Sequence, residues 1–396
     1  MLTQASKQQI TRTAQEADSS VQLKQHSGTA TRLMSLDVFR GLTMVLMTIV
    51  NNPGSWTYVY PPLRHAEWNG WTITDLVFPF FIFIVGVAIP YALSKYRESE
   101  SRQAIYLKIF RRAATLFLLG LILAGFPNFD LTTIRIMGVL QRLALCYLFV
   151  ALLFLHTNTR TQFVIAALCL VVYELLMQIP VPDRETLLQT KDDNFGAWLD
   201  RTLFGTAHLW KAAKTWDPEG LLSTMPALTN AIAGMMTGTY LRSQSEPVEK
   251  VAGIFFVGAI LLGIGGALDW VIPINKNVWS PSYAVFTTGY ALVVLGMCYY
   301  AIDIKGWKKW AEPLVVFGVN ALLLFFGSGI LARVVGGLIR FTVDGELLSL
   351  QQFIYKYLLA SWAGNMIGAL LYPLLLIVVW YMVLRALYKR NWIWKV

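Results

Sequence analysis

Apolar positions along this chain fall in long unbroken runs, not at the spacing of half-buried strands or amphipathic surface helices. The run LVFPFFIFIVGVAIPYAL, Leu76 to Leu93, is an instance. A stretch of that length suits a helix crossing a hydrocarbon layer of about 30 Å at 1.5 Å per residue. Spanning β-strands would be about ten residues long and would alternate apolar and polar. Apolar runs centre near residues 43, 83, 117, 145, 170, 231, 261, 292, 324 and 376. The pattern predicts an all-α polytopic membrane protein of about ten transmembrane helices, and an even number of crossings puts both termini on one side. Residues 1–31 are polar, rich in Gln, Ser and Thr, and lack the apolar core of a signal peptide, so a flexible tail is expected there and a single transmembrane domain over 32–396. Gln351 to Trp362 is mildly amphipathic, which predicts an interfacial helix instead of a crossing. The connection from Pro180 to Gly220 carries helix-like sequence, FGAWLDRTLFGTAHLW, and connections so long are usually functional or partly structured. A lid or a dimer surface is expected there, and with the aromatic-rich helix faces it suggests a homodimer.

Composition agrees with the pattern. The chain has 396 residues, 56% hydrophobic and 14% charged, against roughly a quarter charged in a soluble domain. That excludes a soluble globular fold, and the same balance excludes disorder. The net charge of +10 would suggest nucleic acid as a partner of a soluble protein. Here the distribution of basic residues between helix ends explains it without one. If the N-terminal tail is cytoplasmic, that side holds 20 of the 33 Lys and Arg and the opposite side about ten. The positive-inside rule then places both termini in the cytoplasm. Cys146, Cys169 and Cys298 all lie inside apolar runs, so neither a disulfide framework nor a metal cluster is expected.

Chemistry-bearing residues are few. Among four histidines only His65 stands with other reactive groups, in LRHAEWNGWTITDLVFPFF, beside Arg64 and Glu67 and ahead of Trp68, Asn69 and Asp75. An imidazole is the natural base for an amine or hydroxyl at neutral pH. Asp75 opens the second span, where it either faces a cavity or partner or serves the helix dipole. Asp37 and Arg40, three apart, are expected to pair on one face of the first span. Arg135 and Arg142, seven apart with Gln141 beside the second, are expected on one face of the fourth, where they call for an anionic ligand or buried carboxylates. In WDPEGLLSTMPA, Asp217 reads as a helix N-cap with Pro218 at the first helical position. No phosphate-binding, zinc-protease or serine-hydrolase motif is present.

The blocks MSLDVFRGLTMVLMTIVNN, RHAEWNGWTITDLVFPFFIFIVG, RIMGVLQRLAL, WDPEGLLSTMPA and PINKNVWSPSY, in this order, resemble the heparan-α-glucosaminide N-acetyltransferase family from about Ser35 onward. The family includes a lysosomal enzyme with a lumenal N-terminal domain and tethering span; this chain starts with a short polar tail instead, which suggests a bacterial relative in the cytoplasmic membrane acting on a free amino sugar or small glycan. The resemblance implies a transmembrane acyltransferase domain over 32–396. Acetyl-CoA, the cosubstrate, would enter from the cytosol, and its acetyl group would reach a glucosamine-type amine on the far side, with no metal. It puts the active histidine at His65, as general base or transient acetyl carrier. The catalytic asparagine falls at Asn51, with neighbouring Asn52 as the alternative register, and Asp75 would hold His65 or bind the amine. Expected donor anchors are Arg40, Arg142, Gln141, Arg135 and Asn275, Lys276 and Asn277; expected acceptor contacts are Glu67, Trp68, Asn69, Asp217 and Glu219. An amino-sugar or anion transporter is the competing reading, based on Pro79, Pro90 and Gly263 to Gly266 as helix interruptions.

Overall fold

The computed structural model describes residues 33–96, 103–182 and 190–394. The expected tail, 1–31, lies outside them. The described chain is all-α apart from one small hairpin. All ten apolar runs form helices: α1 Met34–Asn51, α2 Ile73–Leu93, α3 Gln103–Gly125, α4 Val139–His156, α5 Thr159–Met177, then, after the short α6 Phe195–Phe204, α7 Thr224–Leu241, α8 Pro247–Leu268 and α9 Pro281–Tyr299. The run near 324 divides at Asn320 into α10 Glu312–Val319 and α11 Ala321–Arg333, and the run near 376 is the helix Asn365–Lys389. Among the described residues eight helices are long and apolar enough to cross a membrane. The two that miss this measure are as long as the rest. Helix α3 carries Lys108, Arg111 and Arg112 near its start, and α7 is built largely from small and polar residues. The protein is a polytopic helical membrane protein.

Helix α2 runs unbroken through Pro79 and Pro90, and α8 through Gly263 to Gly266. The interruptions in the sequence therefore do not break the helices. Prolines remain compatible with a spanning helix where the surroundings satisfy the freed carbonyl; near the end of α2 the Pro90 carbonyl itself accepts from Ser94 N and from Arg242 Nη1 at 2.9 Å. Close packing depends on small residues. A Cβ at Gly86 would come within 2.1 Å of the Ala231 carbonyl oxygen, and one at Gly234 within 2.1 Å of that of Phe83. Helices α2 and α7 thus meet backbone to backbone along a small-xxx-small seam that includes Gly238. Around this seam lies the main core, with Ile82, Ile89, Leu143, Tyr147, Met235, Trp279 and Tyr283 buried.

Long-range contacts divide the helix ends into two sets. At one end Gly54 N donates to Ala369 O, Gly70 N to Ile274 O and Ile136 N to His208 O. At the other, Ser35 N donates to Asp303, Tyr106 meets His156, and the Asn320 side chain bonds Trp392 and Trp394. The segment expected as an interfacial helix is helical from Leu350 to Ala363, with π turns over Ile354–Ala360. An antiparallel hairpin precedes it, Arg340–Val343 with Glu346–Ser349, which the apolar pattern did not predict. Its turn signal was legible: Asp344-Gly345, both with positive φ, is a strong short hairpin sequence. The long connection holds α6, capped by the Asn194 side chain accepting from Ala197 N at 2.8 Å.

Candidate active site

The connection between α1 and α2 folds on itself before it presents His65. Arg64 holds this fold together. Its guanidinium donates to the carbonyls of Val59 and Thr57, while its own carbonyl accepts from Thr72 Oγ1 at 2.6 Å. Thr72 is the N-cap of α2, and with Asp75 three residues on it forms a capping box. Asp75 Oδ2 accepts from the backbone N–H groups of Ala66 and Thr72. Its other oxygen, Oδ1, lies 2.6 Å from His65 Nδ1. Asp75 is buried, with its side chain 1% exposed, whereas His65 is 45% exposed. An ionised carboxylate only accepts, so Nδ1 carries the proton and Nε2 carries the lone pair. The carboxylate that starts the helix thereby sets the tautomer of the imidazole.

His65 lines a cavity of about 480 Å³ together with Asn51, Glu67, Glu219, Lys276 and Asn277. Its deeper wall is apolar, formed by Met47, Val77, Phe78, Phe81 and Phe325, and its rim holds Lys191, Trp210 and Trp216. Asn51 faces this space, whereas Asn52 is buried and donates to Thr48 O at 3.0 Å. Asn51 also borders a second cavity of about 620 Å³ at the same end of the bundle, beside Asn52, Trp56, Arg333 and Gln351. Lys276 Nζ stands 3.3 Å from His65 Nδ1 and 3.4 Å from Nε2. Burial holds the Lys276 ammonium below its usual range, against the pull of Glu219 and Asp75.

The other expected residues are distributed differently. Trp68, Asn69 and Asn275 line a small neighbouring pocket, where Asn275 Nδ2 donates to Asn69 Oδ1 at 3.1 Å. Asn275 Oδ1 accepts from the N–H groups of Asn277 and Val278, so its amide shapes the turn. Arg135 precedes helix α4, which begins at Val139 after the N-cap Gly138. It therefore does not share a helical face with Arg142. Both arginines converge instead on the segment after Trp216. Arg135 pairs with Asp217 and, at 2.5 Å, with Glu219. Burial alone would depress Arg135, and these two carboxylates reverse that and raise it. Burial likewise works against the Glu219 carboxylate, yet Arg135, Lys276 and Arg142 hold it below its usual value. Arg142, 0% exposed, donates to Gly220 O at 3.1 Å and to Ser223, and lies over the Trp279 ring at 4.9 Å. Asp217 is not the cap of α7, because Ser223 precedes that helix; it belongs to the Arg135 pair. Gln141 is buried against Gly120. Arg40 pairs with Asp37 at 3.2 Å, as the spacing predicted, and also reaches Gly318 O. It sits on α1 more than two turns before Asn51, toward the opposite end of the bundle.

Residues in the cavity wall that the sequence alone did not indicate include Thr74, Phe78, Phe81, Phe325 and Lys191. The aromatic ones sit in runs where every residue is apolar, so nothing in the sequence distinguishes a wall residue from a lipid-facing one. Trp210 and Trp216 had a weak signal, two indoles in a polar connection. They pack edge to face at 5.6 Å, and Trp216 does the same with Trp68 at 5.8 Å.

Fold and site together define a class: a polytopic helical membrane protein that presents an Asp-held imidazole to a cavity at one end of its bundle. The family follows from sequence comparison. Residues 32–250 match the catalytic region of heparan-alpha-glucosaminide N-acetyltransferase, more than half of the chain, and the chain belongs to that family. It is 28% identical to the mouse heparan-alpha-glucosaminide N-acetyltransferase over 93% of its own length and 31% identical to the human one over 75%. It spans 61% of the mouse protein and 52% of the human one.

Proposed function

We propose that this protein is a membrane N-acetyltransferase that moves the acetyl group of acetyl-CoA to the amine of a glucosamine-type sugar. The observation that carries this reading is the 2.6 Å pair between His65 Nδ1 and Asp75, with Nε2 and the Asn51 amide bordering one cavity. The acceptor, as a neutral amine, attacks the thioester carbonyl and gives up a proton to Nε2 as it does so. As the N–C bond forms, the C–S bond breaks, and the imidazolium returns the proton to the departing thiolate. Asp75 stabilises that imidazolium and keeps Nε2 directed at the cavity. Asn51 donates to the oxyanion that develops on the carbonyl oxygen, a contribution of about 3 kcal/mol in comparable sites. The apolar depth of the cavity suits a thioester and its pantetheine arm, and its polar, tryptophan-lined rim suits a sugar. Glu67 and Glu219 on that rim are acceptors for sugar hydroxyls or for the ammonium before it is deprotonated.

The distribution of charge supports donor entry from the opposite end. Lys108, Arg111, Arg112, Arg160, Arg242, Lys305, Lys308 and Lys309 all lie toward the end away from His65, which the positive-inside rule assigns to the cytoplasm. On this reading Arg135 and Arg142 fix the segment 217–223 that forms part of the acceptor rim, and phosphate anchoring falls to basic groups nearer the cytoplasm, Arg40 among them.

The test is acetyl transfer from labelled acetyl-CoA to glucosamine by the purified protein in nanodiscs. Wild type should form N-acetylglucosamine. His65→Ala should lose at least about 10²-fold in kcat, and Asp75→Asn a similar factor at a nearly unchanged KM for acetyl-CoA. A well-folded wild type that acetylates no amino sugar, or a His65→Ala protein of full activity, would sink the proposal.

A further inference from the structure

Among the described residues of the cavity wall, Lys276 is the one whose amine already lies against the imidazole. Its Nζ is 3.3 and 3.4 Å from the two ring nitrogens of His65. Nearly equidistant from both ring nitrogens, the amine lies beside the ring, and rotation about the torsions of the lysine side chain brings it onto the in-plane line of the Nε2 lone pair, where an acceptor amine hands over its proton. The contact is built into the backbone. Gly70 and Asn275 form a parallel bridge, Gly70 N donates to Ile274 O at 2.7 Å, and Asn275 Nδ2 donates to Asn69 Oδ1. The segment that carries His65 is thereby joined to the segment that carries Lys276. On the far side of the lysine, Trp279 N donates to its carbonyl at 3.1 Å and Ser280 N to Asn275 O at 3.0 Å, which closes the turn. Lys276 is partly buried and faces Glu219 and Asp75 besides His65.

Resting on the acetyltransferase reading above, we propose that Lys276 is a self-acetylation site, the acceptor used when no sugar amine fills the cavity. The chemistry balances as it does for the sugar. With the ammonium proton released to solvent, the Nζ lone pair forms the bond to the acetyl carbon as Nζ gives up a second proton to His65 Nε2, the C–S bond breaks, and the proton on Nε2 passes to the thiolate. The products are Nε-acetyl-Lys276 and the free thiol of CoA. Burial that favours the neutral amine assists the first step. The amide cannot return its acetyl group to a sugar as a thioester does, and it replaces a cation beside Glu219 with a neutral, bulkier group. Self-acetylation therefore closes the acceptor position, and an excess of donor without acceptor switches the protein off.

The experiment uses the full chain in detergent with isotopically labelled acetyl-CoA and no sugar, followed by peptide mass spectrometry. The expected result is an amide-linked, hydroxylamine-stable label at Lys276, with Lys191 on the same rim unlabelled as the internal control. Glucosamine should suppress the label, and His65→Ala should slow it at least tenfold. Lys276→Arg, checked for folding by size exclusion, should carry none. Wild type that acetylates glucosamine yet leaves Lys276 bare would overturn the inference alone. Labelling of Lys276 that is as fast in His65→Ala as in wild type would also overturn it, as unassisted chemical acetylation. A protein that acetylates neither sugar nor Lys276 would overturn the function proposal together with it.

Discussion

Asp75 shows how much one carboxylate can carry. One oxygen completes the capping box of α2 and the other holds His65. The sequence made part of this legible: an acidic residue at the start of a span, ten residues after a lone histidine, offered either a cap or a partner, and the structure uses it as both. Arg142 was less legible, because its contacts at Gly220 and Ser223 are 78 and 81 residues away and no local spacing encodes them. Asp200 shows the cost of charge in this region. It is buried beneath the turn at Gly220, accepts from Leu221 N at 2.9 Å, and burial pushes it up to about 7. An unfolded aspartate releases its proton near pH 4. Between about pH 4 and 7 the folded protein therefore holds a proton that the unfolded chain has lost, and stability falls as pH rises through that window. Asp200→Asn, which keeps the acceptor oxygen, should raise the melting temperature at pH 8 by an amount corresponding to a few kcal/mol, and the gain should shrink toward pH 5. Thermal melts at the two pH values check this, and an equal shift at both would refute it.

Among the elements, the α2–α7 seam decides where the site sits. Small residues at Gly86, Ala231, Gly234 and Gly238 let two backbones approach, and α2 thereby fixes Asp75 in place. Gly234→Leu has no room, since even a Cβ would meet the Phe83 carbonyl oxygen at 2.1 Å. It should abolish the monodisperse folded species in size exclusion, whereas Gly263→Leu, at a position where a Cβ would meet nothing within 4 Å, should leave the profile intact. The sequence predicted these helices well because a membrane requires each span to satisfy its own backbone. Helix starts were harder to read. Arg135 and Asp217 both fall outside the helices the spacing suggested, because Gly138 and Ser223 begin α4 and α7 several residues later. The two residues instead pair with each other across 82 residues of sequence, which no local spacing encodes.

For the whole molecule, long-range contacts among the described residues sort helix ends into two sets, and His65 lies with the set away from Lys108, Arg111, Arg112, Arg160, Arg242, Lys305, Lys308 and Lys309. Asn128 belongs to that end and Lys309 to the other, and both are exposed. A cysteine at position 128 should react with a membrane-impermeant maleimide in intact cells, and one at 309 only after permeabilisation. The opposite pattern would put His65 on the cytoplasmic face.

The backbone-to-backbone contact of α2 with α7 also bears on how such a protein can change over time. Asp75, and through it His65, is tied to a seam where a Cβ at Gly86, Gly234 or Gly238 would meet backbone. The rim, with Lys191, Trp210, Trp216, Glu219 and Lys276, is contributed by connections remote from one another in sequence. On the proposed function, descendants of one ancestor can take up different acceptors through mutations in those connections, each a small step, while inheriting the pair of His65 and Asp75 unaltered.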